Sequence, residues 1–384
     1  MGRKERREKE TRDVTMTALA QDRKWMRRAI ALARLSEGRT RPNPPVGAVV
    51  VRDGRKLGEG RHQCAGCAHA EGEALDACRE PVAGATLYVT LEPCCTHGRT
   101  PPCTDRIVRE GIARVVVGCH DANGCHCGRG LEILAKKGVA VEYGVCEPEA
   151  LELVLPFFKH IATGYPFVTL KLAMTLDGHI ADRNACSQWI TGEAARAEVQ
   201  RMRRRADAVM VGAGTVLADN PSLLCRSGGG EKLMRVVVEG GCLVPPTARV
   251  LTDEAAARTI VATGRGVAQR RAEAWRAHGA RVWEFALDKR GHVPLKRVLK
   301  RLGDEGCLHV LCEGGGQLAG ALHDAGLVDE YCFFYAPAVL GDRKALHAVA
   351  GEGCLLSKMP RMRCVEVRRI GEDVMLRVRK EVTR

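Results

Sequence analysis

Two α/β units joined by a helical connector are the fold this sequence predicts. Three observations point there. The chain has 384 residues, which is long for one ordinary domain. Short apolar runs alternate with stretches of helical period, as in layered α/β structure. The alternation is interrupted once, over residues 148–166, and then resumes.

In order, residues 1–20 are polar and charged and are expected to form a disordered basic extension. From Asp22, the residues Trp25, Met26, Ala29, Ile30, Leu32 and Ala33 recur with helical period, and Pro42-Asn43-Pro44-Pro45 stops the helix. Val46 to Val51, Thr86 to Leu91, Arg114 to Gly118 and Val139 to Tyr143 read as strands. Helices are expected over Ala70 to Arg79, Pro101 to Glu110 and Leu131 to Lys137. These elements make a first unit over residues 21–147. The second unit, residues 167–384, has strand-like runs at Phe167 to Ala173, Ala208 to Gly212, Arg235 to Glu239, Thr259 to Ala262, Arg281 to Phe285 and Leu308 to Cys312. Helical segments such as Glu193 to Arg205 and Gly266 to His278 separate most of them. Glu330 to Tyr335 and a hairpin of Arg363 to Ile370 with Asp373 to Val378 close the chain.

Composition narrows the function classes. No apolar run approaches the eighteen or so residues of a membrane span. The charged stretch from Met1 to Asp13 lacks the apolar segment of a secretory signal. Eighteen cysteines are therefore expected as thiols or metal ligands in the cytoplasm rather than as disulfides. A net charge of +14 invites nucleic acid, yet the basic residues form no single stripe and aromatics are only 4%. Phosphorylated small molecules suit such a surface equally well.

The chemistry concentrates in His69-Ala70-Glu71 and in Leu91-Glu92-Pro93-Cys94 through Cys103. Hydrolytic deamination of an amidine-like ring carbon needs a hydroxide at neutral pH and a proton carrier for the leaving ammonia. A three-ligand zinc with an open position supplies the first, and a glutamate beside the metal supplies the second. Thr100 can cap a helix that Pro101 opens, placing Cys103 in a first turn where the helix dipole favours its thiolate. The thiol that nucleic-acid deaminases carry three positions after the proline-linked cysteine is replaced here by His97, so Cys103 and His97 compete as third ligand. Cys95 is read as a core thiol.

With Thr96 to Cys103 reading Thr-His-Gly-Arg-Thr-Pro-Pro-Cys, the chain resembles the bifunctional deaminase/reductase family of riboflavin biosynthesis. The resemblance implies His69, Cys94 and Cys103 as ligands of one zinc per chain and Glu71 as proton shuttle. It implies Asn43, in Pro42-Asn43-Pro44, as a contact to the pyrimidine, and it extends to His62. It also implies a cytidine-deaminase-like three-layer α/β/α fold for the first unit and a dihydrofolate-reductase-like α/β fold for the second. The family's usual Asp-Pro-Asn-Pro is here Asp121-Ala122-Asn123-Gly124, followed by Cys125-His126-Cys127, and Cys64-Ala65-Gly66-Cys67 adds another pair before His69. Reduced thiols are the expected state of Cys64, Cys67, Cys125 and Cys127, with a second metal as the alternative.

In the second unit a strand, Glu313-Gly314-Gly315-Gly316 and a helix from Gln317 would offer backbone amides to a diphosphate. Thr215 and Asp219 flank an expected loop that could grip nicotinamide or ribose. Arg203 and Arg226 are cations suited to a substrate phosphate, whereas the rest of Arg201 to Arg205 reads as a solvated helix face. The resemblance implies that Ala173, Trp189, Thr215, Asp219, Gly240, Gly315, Gly316, Gln317, Leu318, Ala319, Gly320 and Ala321 line an NADPH site. It implies that Ser187, Arg203, Leu223, Arg226 and Glu313 contact substrate, with Lys171 and Glu313 as candidates for the proton that accompanies hydride transfer. The expected partner is a phosphorylated pyrimidine, without nucleic acid or membrane, and the expected assembly is a homo-oligomer. The rival readings are an RNA-editing type of zinc deaminase with an accessory domain, and a fusion with one inactive domain.

Overall fold

The computed structural model describes residues 3–97, 101–123, 127–226, 228, 230, 232–240, 243–267 and 269–381, with side chains described from residue 18 onward. The chain divides into two compact units, Met1–Thr163 and Gly164–Arg384.

The first unit runs α1 (Arg3–Arg34), β1 (Gly47–Arg52), β2 (Arg55–Arg61), α2 (Ala70–Asp76), β3 (Thr86–Leu91), α3 (Cys103–Arg109), β4 (Arg114–Cys119), α4 (Arg129–Lys136), β5 (Ala140–Tyr143) and α5 (Glu147–Thr163). Helix α1 occupies most of the segment expected to be disordered. Lys, Arg and Glu dominate its start, and all three favour helix. Its apolar stripe, Met26, Ala29, Ile30 and Ala33, is buried against β1 and β3. The approach is close: a Cβ on Gly47 would lie 2.1 Å from the Ala29 carbonyl oxygen, so only glycine fits. Asp53 and Gly54, both at positive φ, turn β1 into the unexpected strand β2.

Among the described residues the sheet order is β2-β1-β3-β4-β5, antiparallel across β2, β1 and β3 and parallel across β3, β4 and β5. Ala70, Ala74, Ile107, Leu131 and Leu134 of α2, α3 and α4 pack on one face, and α1 with α5 packs on the other. The result is the three-layer α/β/α arrangement. The expected connector is thus a full helix of the first unit, with Ala150, Leu153 and Val154 buried in its core.

The second unit runs β6 (Phe167–Met174), β7 (His179–Ala181), α6 (Glu193–Arg205), β8 (Ala208–Gly212), α7 (Ala213–Asp219), β9 (Met234–Val238), α8 (Arg249–Thr252), β10 (Thr259–Gly264), α9 (Gln269–Ala277), β11 (Arg281–Phe285), α10 (Leu295–Asp304), β12 (His309–Cys312), α11 (Gly316–Asp324), β13 (Glu330–Tyr335), β14 (Leu346–His347), β15 (Met362–Ile370) and β16 (Asp373–Lys380). The main sheet is ordered β11-β10-β9-β8-β12-β6-β13-β16-β15 among the described residues. It is parallel through β13, and the terminal hairpin β15–β16 adds antiparallel strands at the edge. Apolar cores line both faces. The loop expected around Thr215 is instead α7, begun at Gly212 and ended by Asn220 in the left-handed conformation that asparagine tolerates.

Candidate active sites

In the first unit, three donor atoms meet where α2 and α3 begin beside the C-terminal end of β3. His69 is the residue before α2, Cys94 follows β3, and Cys103 is the first residue of α3. His69 Nδ1 lies 3.4 Å from Cys94 Sγ and 3.4 Å from Cys103 Sγ. Zinc bond lengths of about 2.3 Å to sulfur and 2.0–2.1 Å to nitrogen give a tetrahedral N···S edge of about 3.5 Å. The donor set therefore fits zinc. Among the described residues this is the one such group, all its ligand atoms lying within 4.8 Å of one another.

The protonation pattern agrees. The hydrogen bond with Cys94 holds His69 up to about 9. Hydrogen bonds from Cys103 and His69 pull the Cys94 thiol far down, while the same bond and burial push Cys103 up. Three donors share protons that a cation would displace. Pro102, not Thr100, precedes α3, and Pro101 lies outside it; Thr100 itself is outside the described residues. His97 is exposed and not part of the donor group. Cys95 is half-buried rather than a core thiol.

Glu71 sits in the first turn of α2, 4% exposed, and burial pushes its carboxyl up to about 6. It lines a cavity of about 390 Å³ together with His69, Cys94, Asn43, His62 and Asp121. The volume suits a small molecule. His62 Nδ1 donates to the Ala68 carbonyl at 3.0 Å, so its Nε2 accepts from Asn43 Nδ2 at 3.1 Å. That bond occupies the Asn43 amide N–H side and leaves Oδ1 as its acceptor.

Two contributions escape motif reading. The Glu92 carboxylate accepts the backbone N–H groups of Asp121, Gly128 and Gly130 and pairs with His120 Nδ1 at 3.2 Å, holding the loop after β4 against the cavity. Its motif position was visible, but partners 28 to 38 residues away were not. Phe157, His160 and Ile161 of α5 form another wall of the cavity, from a segment whose sequence suggests only a connector. Cys64 and Cys67 pair with each other, Cys127 is exposed, and Cys125 lies outside the described residues.

In the second unit, β12 leads through Glu313-Gly314-Gly315 into α11 as expected. Gly314 takes φ +90°, and the first helical bond runs from Ala319 N–H to the Gly315 carbonyl. The N–H groups of Gly316, Gln317 and Leu318 therefore precede the helical ladder and suit a diphosphate. A Cβ on Gly315 would lie 3.3 Å from Thr215 Oγ1, so Thr215 stands beside this turn. Asp219, one turn along α7, accepts from Ser187 Oγ at 2.7 Å, joining two of the expected site residues. These features fit NADPH. Gly240 and Ala321 are exposed, Ala173 is half-buried on β6, and the exposed Trp189 ring carries the Arg196 guanidinium 4.6 Å from its centroid.

The arginines divide differently from expectation. Arg203 is buried and holds Glu313, and its Nη1 donates to the Leu224 carbonyl at 3.0 Å. Three of its N–H donors are thus taken by partners within the protein. Arg226 is exposed, and its backbone N–H donates to Gln200 Oε1 at 2.8 Å. Leu223, 2% exposed at φ +55°, sits in the same segment. Burial lowers the Lys171 ammonium pKa.

Residues 19–119 match the cytidine and deoxycytidylate deaminase zinc-binding region, and residues 166–376 match the RibD C-terminal domain. The chain is 41% identical over 354 residues to the riboflavin biosynthesis protein RibD of Bacillus amyloliquefaciens, covering 92% of this chain and 94% of that protein. Against the RibD protein of Escherichia coli strain K12 it is 39% identical over 366 residues, covering 93% and 98%. A Thermotoga maritima crystal structure, titled as a diaminohydroxyphosphoribosylaminopyrimidine deaminase/5-amino-6-(5-phosphoribosylamino)uracil reductase, superposes with TM-score 0.83 at 38% identity over 95% of this chain and 100% of that one. Acinetobacter baumannii RibD superposes at 0.81 with 36% identity, with the same coverage.

Proposed function

The chain belongs to the RibD family, and from that premise we propose how its residues divide the family's two reactions. It is a bifunctional enzyme of riboflavin biosynthesis. The first reaction is zinc-dependent deamination of 2,5-diamino-6-ribosylamino-4(3H)-pyrimidinone 5′-phosphate. The second is NADPH-dependent reduction of the deaminated product's ribosyl chain to ribityl.

In the first unit His69, Cys94 and Cys103 hold zinc, which when bound supplies Lewis acidity toward water. Glu71 takes the proton from the attacking water and returns it to the leaving amine, a task for which a carboxyl raised by burial is suited. Asn43 orients the pyrimidine through Oδ1, and His62 fixes the Asn43 amide. In the second unit the first-turn amides of α11 hold the cofactor's diphosphate, and the cofactor supplies the hydride. Glu313, aligned by Arg203, contacts the substrate, and Arg226 meets its phosphate. Lys171, made more acidic by burial, gives the proton that accompanies hydride.

The observation that carries this reading is the cluster of His69, Cys94 and Cys103, the one such group among the described residues, with His69 and Cys94 lining the same cavity as the buried Glu71. An RNA substrate finds no comparable support. We further place the enzyme in the cytoplasm, where structural disulfides are rare, as a homo-oligomer covering exposed apolar residues such as Leu356 and Val367. Among the described residues no helix is long and apolar enough to cross a membrane. Purified protein given the diaminopyrimidine alone should release ammonia and stop at the dione, and added NADPH should carry it to the ribityl product. Ammonia release without any NADPH-dependent second product would sink the two-site reading.

A further inference from the structure

Cys64 and Cys67 are used by neither reaction, yet their sulfurs lie 2.8 Å apart. The geometry is built by a turn. The Cys67 N–H donates to the Cys64 carbonyl at 3.0 Å, and Gly66 sits at φ +92°, the position of a type II turn that glycine serves. Such a turn brings the Cα atoms of its first and fourth residues within about 7 Å, overlapping the range of about 4.4–6.8 Å that a disulfide spans. Both side chains are half-buried, so a small solute can reach them.

The turn is tied at both ends to the deaminase site. On one side His62 donates to the Ala68 carbonyl, and Gln63 Nε2 donates to Glu73 Oε1 at 2.8 Å. On the other side the chain passes directly into His69 and α2. Whatever fixes residues 64–67 also restricts the backbone that presents His69.

We propose that Cys64 and Cys67 form a reversible dithiol–disulfide couple, oxidised by small-molecule disulfides, that stiffens the segment presenting His69 to the metal. In the oxidation, one thiolate attacks a sulfur of an oxidised glutathione-type disulfide and releases one thiol. The second cysteine then attacks the mixed disulfide and releases the other. One protein S–S bond forms, the oxidant's S–S bond is reduced to two thiols, and the two protons and two electrons leave with them. The coupling to zinc rests on His69 being a ligand, whereas formation of the couple does not.

The test uses the zinc-loaded full chain in glutathione buffers of graded redox poise, followed by alkylation and mass analysis. The peptide of residues 62–79 carries Cys64, Cys67 and Cys78. The expected product is a chain about 2 Da lighter before alkylation, in which alkylation then spares Cys64 and Cys67 and modifies Cys78. Zinc transfer to a chromophoric chelator should be several-fold slower in the oxidised chain, and redox-independent in the C64S/C67S variant. Full alkylation at every poise, or a bond to Cys94 or Cys103 instead, overturns the couple. A Cys64–Cys67 bond that leaves zinc transfer unchanged overturns the coupling. The bond forming in a chain that holds no zinc supports the couple and counts against the ligand assignment.

Discussion

Arg203 grips Glu313 with two parallel hydrogen bonds, Nε to Oε1 at 2.6 Å and Nη2 to Oε2 at 2.9 Å, and the two side chains are only 11% and 10% exposed. Burial alone would raise the Glu313 carboxyl, but the guanidinium outweighs it and keeps the group low. Arg203→Ala strands that charge. Breaking a buried pair costs about 3–5 kcal/mol, so the second unit should lose stability and reduction should fail while ammonia release persists. Arg203→Ala with Glu313→Gln should recover stability in urea unfolding without recovering reduction. Restored reduction in the double variant would show that Glu313 has no contact with substrate.

Glu71→Gln keeps the side chain's size but cannot carry protons. Deamination should fall by roughly a hundred- to ten-thousand-fold, with zinc content unchanged. Given the already deaminated ribosylamino compound, the same variant should reduce it at the unmodified rate. Loss of both activities in a folded, zinc-loaded protein would mean the two sites are not independent.

Cys103→Ser removes a thiolate from the donor group, whereas His97→Ala touches an exposed side chain. Zinc measured by elemental analysis should collapse in the first and survive in the second. The opposite pattern would transfer the ligand role to His97.

His309 gives a pH signature unrelated to either reaction. Its ring packs on Phe167 and its Nε2 meets Thr169 Oγ1 at 2.9 Å, and burial lowers its pKa to about 4. Between an unfolded value of about 6.5 and that folded value, the unfolded chain takes up a proton that the native ring refuses. Stability is therefore whole above pH ~6.5, declines as pH falls, and has lost at most about 3 kcal/mol once pH drops below the folded value. Urea midpoints at pH 7.5 and 4.5 should move less in His309→Asn than in the parent. Equal shifts would remove His309 from the acid response.

The parts legible in the sequence are local ones. His69-Ala70-Glu71 and Pro93-Cys94 occupy contiguous positions whose spacing follows from a helix start and a strand end. Strand β6 and helix α6 announce themselves by period. Strand β2 did not, because its buried face is written in glycine: a Cβ on Gly58 or Gly60 would meet the Ala74 backbone at 2.3 and 2.4 Å. No apolar alternation can signal a face that must be empty. Helix α7 was masked differently, because Gly212 and Gly214 at its start read as a turn. The pairing of Arg203 with Glu313 joins residues 110 positions apart, so the sequence showed two charges without their mutual commitment.

Helix α5 has a consequence for how the two activities could be separated. The match to the deaminase zinc-binding region ends at residue 119, yet Phe157, His160 and Ile161, which wall the deaminase cavity, lie in the last turns before the second unit begins at Gly164. A gene split at the edge of the recognisable motif would yield a protein with every zinc ligand and an open-sided pocket. Fission that preserves both halves has a narrow window, around Thr163 and Gly164, where the pocket wall is complete and β6 has not begun.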